Sequence, residues 1–235
     1  GHLMMYMSLV LYKLYAAVKL HMPVELVYEQ NPAVLYLLSR YVSIFFGTVS
    51  IVLIFVIMEK IKKNSGVIAA LITAVFPVYV IHSQYASADI PLMCVMLAAT
   101  LCGVCYLEQA SVKNLLLMSF FTGLAVTVKY SAAALCLGIA LAVSMESLRQ
   151  KSWRLFFCHG LLAAAAFVLF TFLCSPALFI KYEAVIEFLF WQAYHEHMGM
   201  EAQGFLKNLV YYVRTFLANV GKEFAVFLVL GAAVS

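Results

Sequence analysis

Long apolar runs follow one another through this chain with only brief polar breaks. Residues 34–57, 66–83, 89–107 and 155–178 each approach the roughly 20 residues that a helix needs to cross a bilayer, and 223–235 begins another run. The stretch 114–146 is also apolar, but Lys129 interrupts it near the middle. Its halves, NLLLMSFFTGLAVTV and SAAALCLGIALAVSM, are about 15 residues each and suit a hairpin with Lys129 at the tip. The chain is 66% hydrophobic and only 11% charged, whereas a soluble domain is closer to half apolar and a quarter charged. Soluble packing cannot hide that much apolar surface, so the solvent is lipid. The expected fold is an all-α, polytopic transmembrane bundle forming one membrane domain over residues 1–235.

The net charge of +4 is modest and carries no nucleic-acid signature. Its distribution is more informative. The loops EKIKKNS (59–65), LEQASVK (107–113) and ESLRQKSWR (146–154) hold Lys60, Lys62, Lys63, Lys113, Arg149, Lys151 and Arg154. HMPVELVYEQNP (21–32) and HSQYASAD (82–89) hold no Lys or Arg. If the basic loops are cytoplasmic, every helix alternates without contradiction. Asp89, Lys129 and the whole of 179–222 then fall on the outer face.

Residues 1–33 read as an outer juxtamembrane segment, 34–178 as the helical bundle, 179–222 as outer loop and helices, and 223–235 as a truncated span. LMMYMSLVLYKLYAAVKL (3–20) carries Lys13 and Lys19 among tyrosines, as expected for a helix at the interface. Glu183, Glu187 and Trp191 recur at i, i+4 and share one face if that part is helical. A polar loop around Met198–Gly204 and a second amphipathic piece, NLVYYVRTFLANVGKEF, are expected to follow. The chain opens on GHLMMYM without a basic leader and closes on FAVFLVLGAAVS, so it reads as an internal fragment of a larger multi-pass protein.

All six cysteines lie in apolar runs, and the Cys102-x-x-Cys105 spacing has no second pair, so they read as small helix residues. Ionisable groups at membrane depth are costly and need a partner, water or a role. The outer-face set is His2, Arg40, His82, Asp89, Lys129, His195 and His197. Asp89 begins a helix, with Ser87 before it and Pro91 just inside, so it is either a helix-start acid or a carboxylate lining an outer cavity. Lys129 needs a phosphate, a carboxylate or a route to the headgroups. Arg40 can snorkel or pair with Glu29 or Asp89. His195 and His197, in YHEHMG, are candidates for a divalent metal or a substrate contact, as is Asp89 for a metal.

Taken in order, RYVSIFFGTVSI with EKIKK, PVYVIHSQYASADIP, GLAVTVKYSAAAL, and SPALFI with HEHMG resemble the dolichyl-phosphate-mannose-protein mannosyltransferase-like glycosyltransferases. This group has the C-type glycosyltransferase fold and includes the aminoarabinose transferases. The resemblance implies a polyprenyl-phosphate sugar donor, an acceptor hydroxyl on a protein, lipid or glycan, and inversion at the anomeric carbon at the outer face. It implies that Asp89 positions an acceptor or a metal, and that Lys129, Arg40 and His197 contact substrate, with Gly199 beside His197. His2 stands where the family has Lys or His before two prolines, here replaced by Leu3 and Met4. The family's base-bearing loop would precede residue 1. A transporter or flippase for an anionic lipid or small solute is the competing reading, and a non-catalytic scaffold a third. The absence of an internal repeat argues against transport.

Overall fold

The computed structural model describes residues 2–195, together with 207, 210, 211, 213–215 and 218; the side chains of 2–4, 189 and 192–195 are not described. The described part is helical, with no strand in it. Helix α1 (His2–Tyr15) runs through a π turn (Ala16–Leu20) to a short α2 (Val24–Gln30). Then come α3 (Pro32–Ile61), α4 (Gly66–Val75), α5 (Pro77–Ser83), α6 (Asp89–Glu108) and α7 (Val112–Val128). A 3-10 turn (Tyr130–Ala134) leads directly into α8 (Leu135–Arg149), followed by α9 (Trp153–Cys174), α10 (Ala177–Ile180) and α11 (Tyr182–His195).

Helices α3, α6, α9 and the Tyr130–Arg149 unit are long and apolar enough to cross a membrane. Helix α7 has 17 residues and reaches about 25 Å at the usual rise, short of the roughly 30 Å hydrocarbon thickness. Lys129 does break the run 114–146, but only its first leg is short, because Tyr130–Arg149 is long enough to cross. Both legs are a little longer than the residue pattern suggests, because each continues into the polar residues at its foot.

The run 66–83 is not one straight span. It breaks between α4 and α5 with a bend of 66°. Phe76 takes an extended ψ of 117°, as a residue before proline must when the pyrrolidine ring crowds its helical conformation. Pro77 then opens α5, where its missing N–H costs nothing. The bend is held from the side. Tyr79 donates its hydroxyl to the Gly47 carbonyl of α3 at 2.6 Å. A Cβ at Gly47 would lie 2.9 Å from Ser83 Oγ, so a larger residue there would have to push the Ser83 hydroxyl aside.

The pattern of burial is that of a protein dissolved in hydrocarbon. Ser43, Ser50, Ser119 and Thr122 are fully buried, while Leu137, Leu141, Phe157, Leu161 and Leu173 point outward. Small and polar residues let helices approach closely, and large apolar ones meet lipid. Among the described residues two buried apolar clusters lie within α6 to α9, and a third, of Ala16, Val27 and Leu35, seats α2 on α3. Tyr106, Leu115, Met118, Val143 and Ala163 join α6, α7, α8 and α9 near one end. Leu92, Val95, Ala125, Val128 and Ala132 join α6 to α7 and the 3-10 turn near the other.

Alternating helices gather the Lys- and Arg-bearing turns at one end of the bundle. There Lys60 Nζ meets Glu108 Oε2 at 2.6 Å, tying the ends of α3 and α6. Arg149 donates to the Leu107 carbonyl at 3.1 Å and to Glu146 at 2.9 Å. Glu146, at the start of the polar stretch 146–154, belongs to the last turns of α8 and is buried.

Candidate functional site

The end opposite these basic turns carries the residues singled out from the sequence. Helix α6 begins at Asp89, whose backbone N–H reaches Ser87 Oγ at 3.4 Å. A carboxylate in the first helical turn is favoured by the macrodipole, and Pro91 fits there because the first N–H groups have no intrahelical partner. Helix α7 ends against Lys129, whose extended backbone (φ −154°, ψ 128°) closes α7 and opens the 3-10 turn. Its N–H donates to the Ala125 carbonyl at 3.0 Å, and its own carbonyl accepts from Ala132 N–H at 3.0 Å.

The packing of Leu92 and Val95 on Ala125 and Val128 brings these two helix ends to the same level. Lys129 Nζ lies 3.1 Å from Asp89 Oδ1. Their side chains are 53% and 50% exposed, so the pair is open rather than sealed in the core. The cost of an ammonium between two apolar helices is thus met by a carboxylate 40 positions away in sequence.

Asp89 also lines an apolar cleft of about 470 Å³. The bend between α4 and α5 opens it, and Ile72, Thr73, Phe76, Val78, Tyr79, His82, Ile90 and Met93 complete the wall. One carboxylate therefore faces both the ammonium of Lys129 and a hydrocarbon-lined space. His82 shares that wall with Asp89, a role that the sequence reading did not give it. The signal was present, since both residues lie in the one short loop HSQYASAD.

Arg40 pairs with neither Glu29 nor Asp89. Its Nε donates to the Gln84 carbonyl at 2.6 Å, in the loop that leads to Asp89. Its guanidinium lies 6.0 Å from the centroid of the Tyr36 ring, at the outer limit of a cation–π contact. A backbone carbonyl neutralises no charge, so the guanidinium keeps its full positive charge beside the Asp89 loop. Arg40 thus meets the loop that ends at Asp89.

The other expected residues are not brought there by any described contact. His2 opens α1, and its side chain is not described. His195 ends α11, again without a described side chain, and His197 and Gly199 lie outside the described residues. The residues Met198–Gly204 and the run 223–235 fall outside as well. Tyr182–His195 is helical, so Glu183, Glu187 and Trp191 do share a face. Among the described residues no three His, Cys, Asp or Glu side chains converge on a point that could hold a metal.

The arrangement can hold an amphiphile with an anionic head. Lys129 and Arg40 supply positive charge, the α6 N-terminus adds its dipole, and the cleft accepts an apolar tail. A family model for dolichyl-phosphate-mannose-protein mannosyltransferase matches residues 34–175, more than half of the chain and all of α3 to α9 except the first two residues of α3. No curated protein and no solved structure matches.

Proposed function

This chain belongs to the dolichyl-phosphate-mannose-protein mannosyltransferase family and is a multi-pass membrane glycosyltransferase of that type, and from that premise we propose how its polar end takes part in transfer. The donor is a sugar carried as a polyprenyl-phosphate monoester. An acceptor hydroxyl attacks the anomeric carbon and displaces the phosphate oxygen, which leaves with the bonding electrons. The hydroxyl proton passes to a carboxylate base, and configuration at the anomeric carbon inverts. The reaction takes place at the membrane face opposite the basic loops, which by the positive-inside rule is the outer one.

The observation that carries this reading is the Asp89–Lys129 pair beside the cleft. Developing negative charge on the leaving phosphate calls for a cation already in place. Lys129 supplies it, and Arg40 adds a second positive charge nearby. The polyprenyl chain lies in the cleft between the α4–α5 bend and α6. Asp89 holds Lys129 in position while the site is empty. When phosphate takes the ammonium, the carboxylate is released to position the acceptor hydroxyl.

Titration of the purified protein with a polyprenyl phosphate, followed by thermal unfolding, tests the assignment. Wild type is expected to be stabilised saturably. A hydrogen bond to a charged group is worth about 1.5–3 kcal/mol, so Lys129→Ala is expected to weaken half-saturation by roughly tenfold to a hundredfold. No stabilisation by any polyprenyl phosphate, or an equal response from Lys129→Ala, would overturn it and favour the transport reading.

A further inference from the structure

Away from the Asp89 cleft, α8 and α9 leave a groove between them of about 250 Å³. Ile139, Ala140 and Val143 form one wall, and Phe156, Gly160 and Ala164 part of the other. The space exceeds the roughly 150 Å³ apolar cavity that takes up a benzene molecule, and its lining is too apolar to hold water. A Cβ added at Gly160 would meet nothing within 4 Å. In a membrane, the filler of such a groove is hydrocarbon.

The turn at the basic end of the groove is built differently. Lys151 has φ 49°, in the left-handed region where glycine is the usual residue. The turn is well braced, with Lys151 N–H donating to the Leu148 carbonyl and Ser152 N–H to the Ser147 carbonyl. Ser152 Oγ then caps α9 by accepting from Leu155 N–H at 3.2 Å. Neither Lys151 nor Arg154 pairs with an acid among the described residues, although nearby Arg149 is bound to Glu146. Between them, Trp153 is 73% exposed and edges against Phe156, one of the groove's lining residues. Exposed tryptophan at a helix end marks the headgroup level of a bilayer. A rigid turn that presents two unpaired cations and a tryptophan at the end of an apolar groove has the chemistry of an anionic lipid site.

We infer that the α8–α9 groove binds an anionic phospholipid of the leaflet at the basic end, with an acyl chain between α8 and α9 and its phosphate at Lys151 and Arg154. This site lies at the opposite end of the bundle from the donor cleft and does not depend on the reading of that cleft. It gives the protein a preference for anionic membranes.

Thermal unfolding of the delipidated protein in detergent, titrated with phosphatidylglycerol or with phosphatidylcholine of the same chains, tests it. Phosphatidylglycerol is expected to stabilise saturably and at lower concentration. A basic residue near an anionic surface contributes about fivefold to binding, so Lys151→Gln with Arg154→Gln is expected to reduce the preference by roughly tenfold or more. A Cβ at Gly160 meets nothing within 4 Å, so Gly160→Leu is expected to occupy the groove and abolish the response to both lipids, with unfolding of the lipid-free protein unchanged. Equal response to the two lipids in wild type would overturn the inference. So would an unchanged response in Gly160→Leu.

Discussion

The two ends of this bundle carry the same kinds of charge and use them in opposite ways. At the basic end Glu146 is 1% exposed and accepts from Arg149 and Gln150, while Arg149 also caps the Leu107 carbonyl. Asn114 donates to the Cys105 carbonyl, and Tyr106 and His159 bond at 2.7 Å. Carboxylate, amide and hydroxyl groups here are bound within the protein and join helix ends. At the far end Asp89 and Lys129 are about half-exposed beside a cleft, and Arg40 has a carbonyl rather than an acid for company. The buried Glu146 carboxylate is satisfied within the protein. The Asp89–Lys129 pair is left open beside the cleft.

Substitutions at the two ends should separate these roles. The largest effect on folding is expected from Glu146→Ala. Loss of hydrogen bonds to a buried carboxylate is expected to cost about 2–3 kcal/mol, read by thermal unfolding, with polyprenyl-phosphate binding by the folded fraction unchanged. Asp89→Asn should behave the other way. A half-exposed pair contributes under about 1 kcal/mol to stability, so unfolding should scarcely move. Turnover should fall by roughly tenfold to a hundredfold through lost acceptor positioning, without weaker phosphate binding, since Lys129 is freed. If turnover is normal, Asp89 is a helix-start acid and nothing more. Lys60→Gln at the basic end removes an exposed pair and should change neither stability nor binding measurably.

Much of the fold was legible because lipid imposes a simple code. Run lengths located the spans, and the placement of Lys and Arg sorted their ends into two groups that the helix contacts reproduce. The bend at Phe76–Pro77 went unread within the run 66–83, although proline in an apolar run marks a break. What the sequence could not show was pairing. Asp89 meets Lys129 only because Leu92 and Val95 pack on Ala125 and Val128 and set the register of α6 against α7. Arg40 finds the Gln84 carbonyl, a partner that any residue at position 84 could offer. Glu146 looks like a loop acid until the helix is seen to continue past it. The cleft is a gap created by a bend, and a gap has no residues of its own.

In the proposed function, donor phosphate sits by Lys129 with its chain in the cleft beside Asp89. Photocrosslinking with a polyprenyl phosphate carrying a diazirine on its first isoprene units, followed by peptide mapping, addresses it most directly. Labels are expected on Phe76, Tyr79, His82 or Met93, competed by unlabelled polyprenyl phosphate and reduced in Lys129→Ala. Specific labelling confined to the α8–α9 groove or the basic end, with none on the cleft wall, would contradict it.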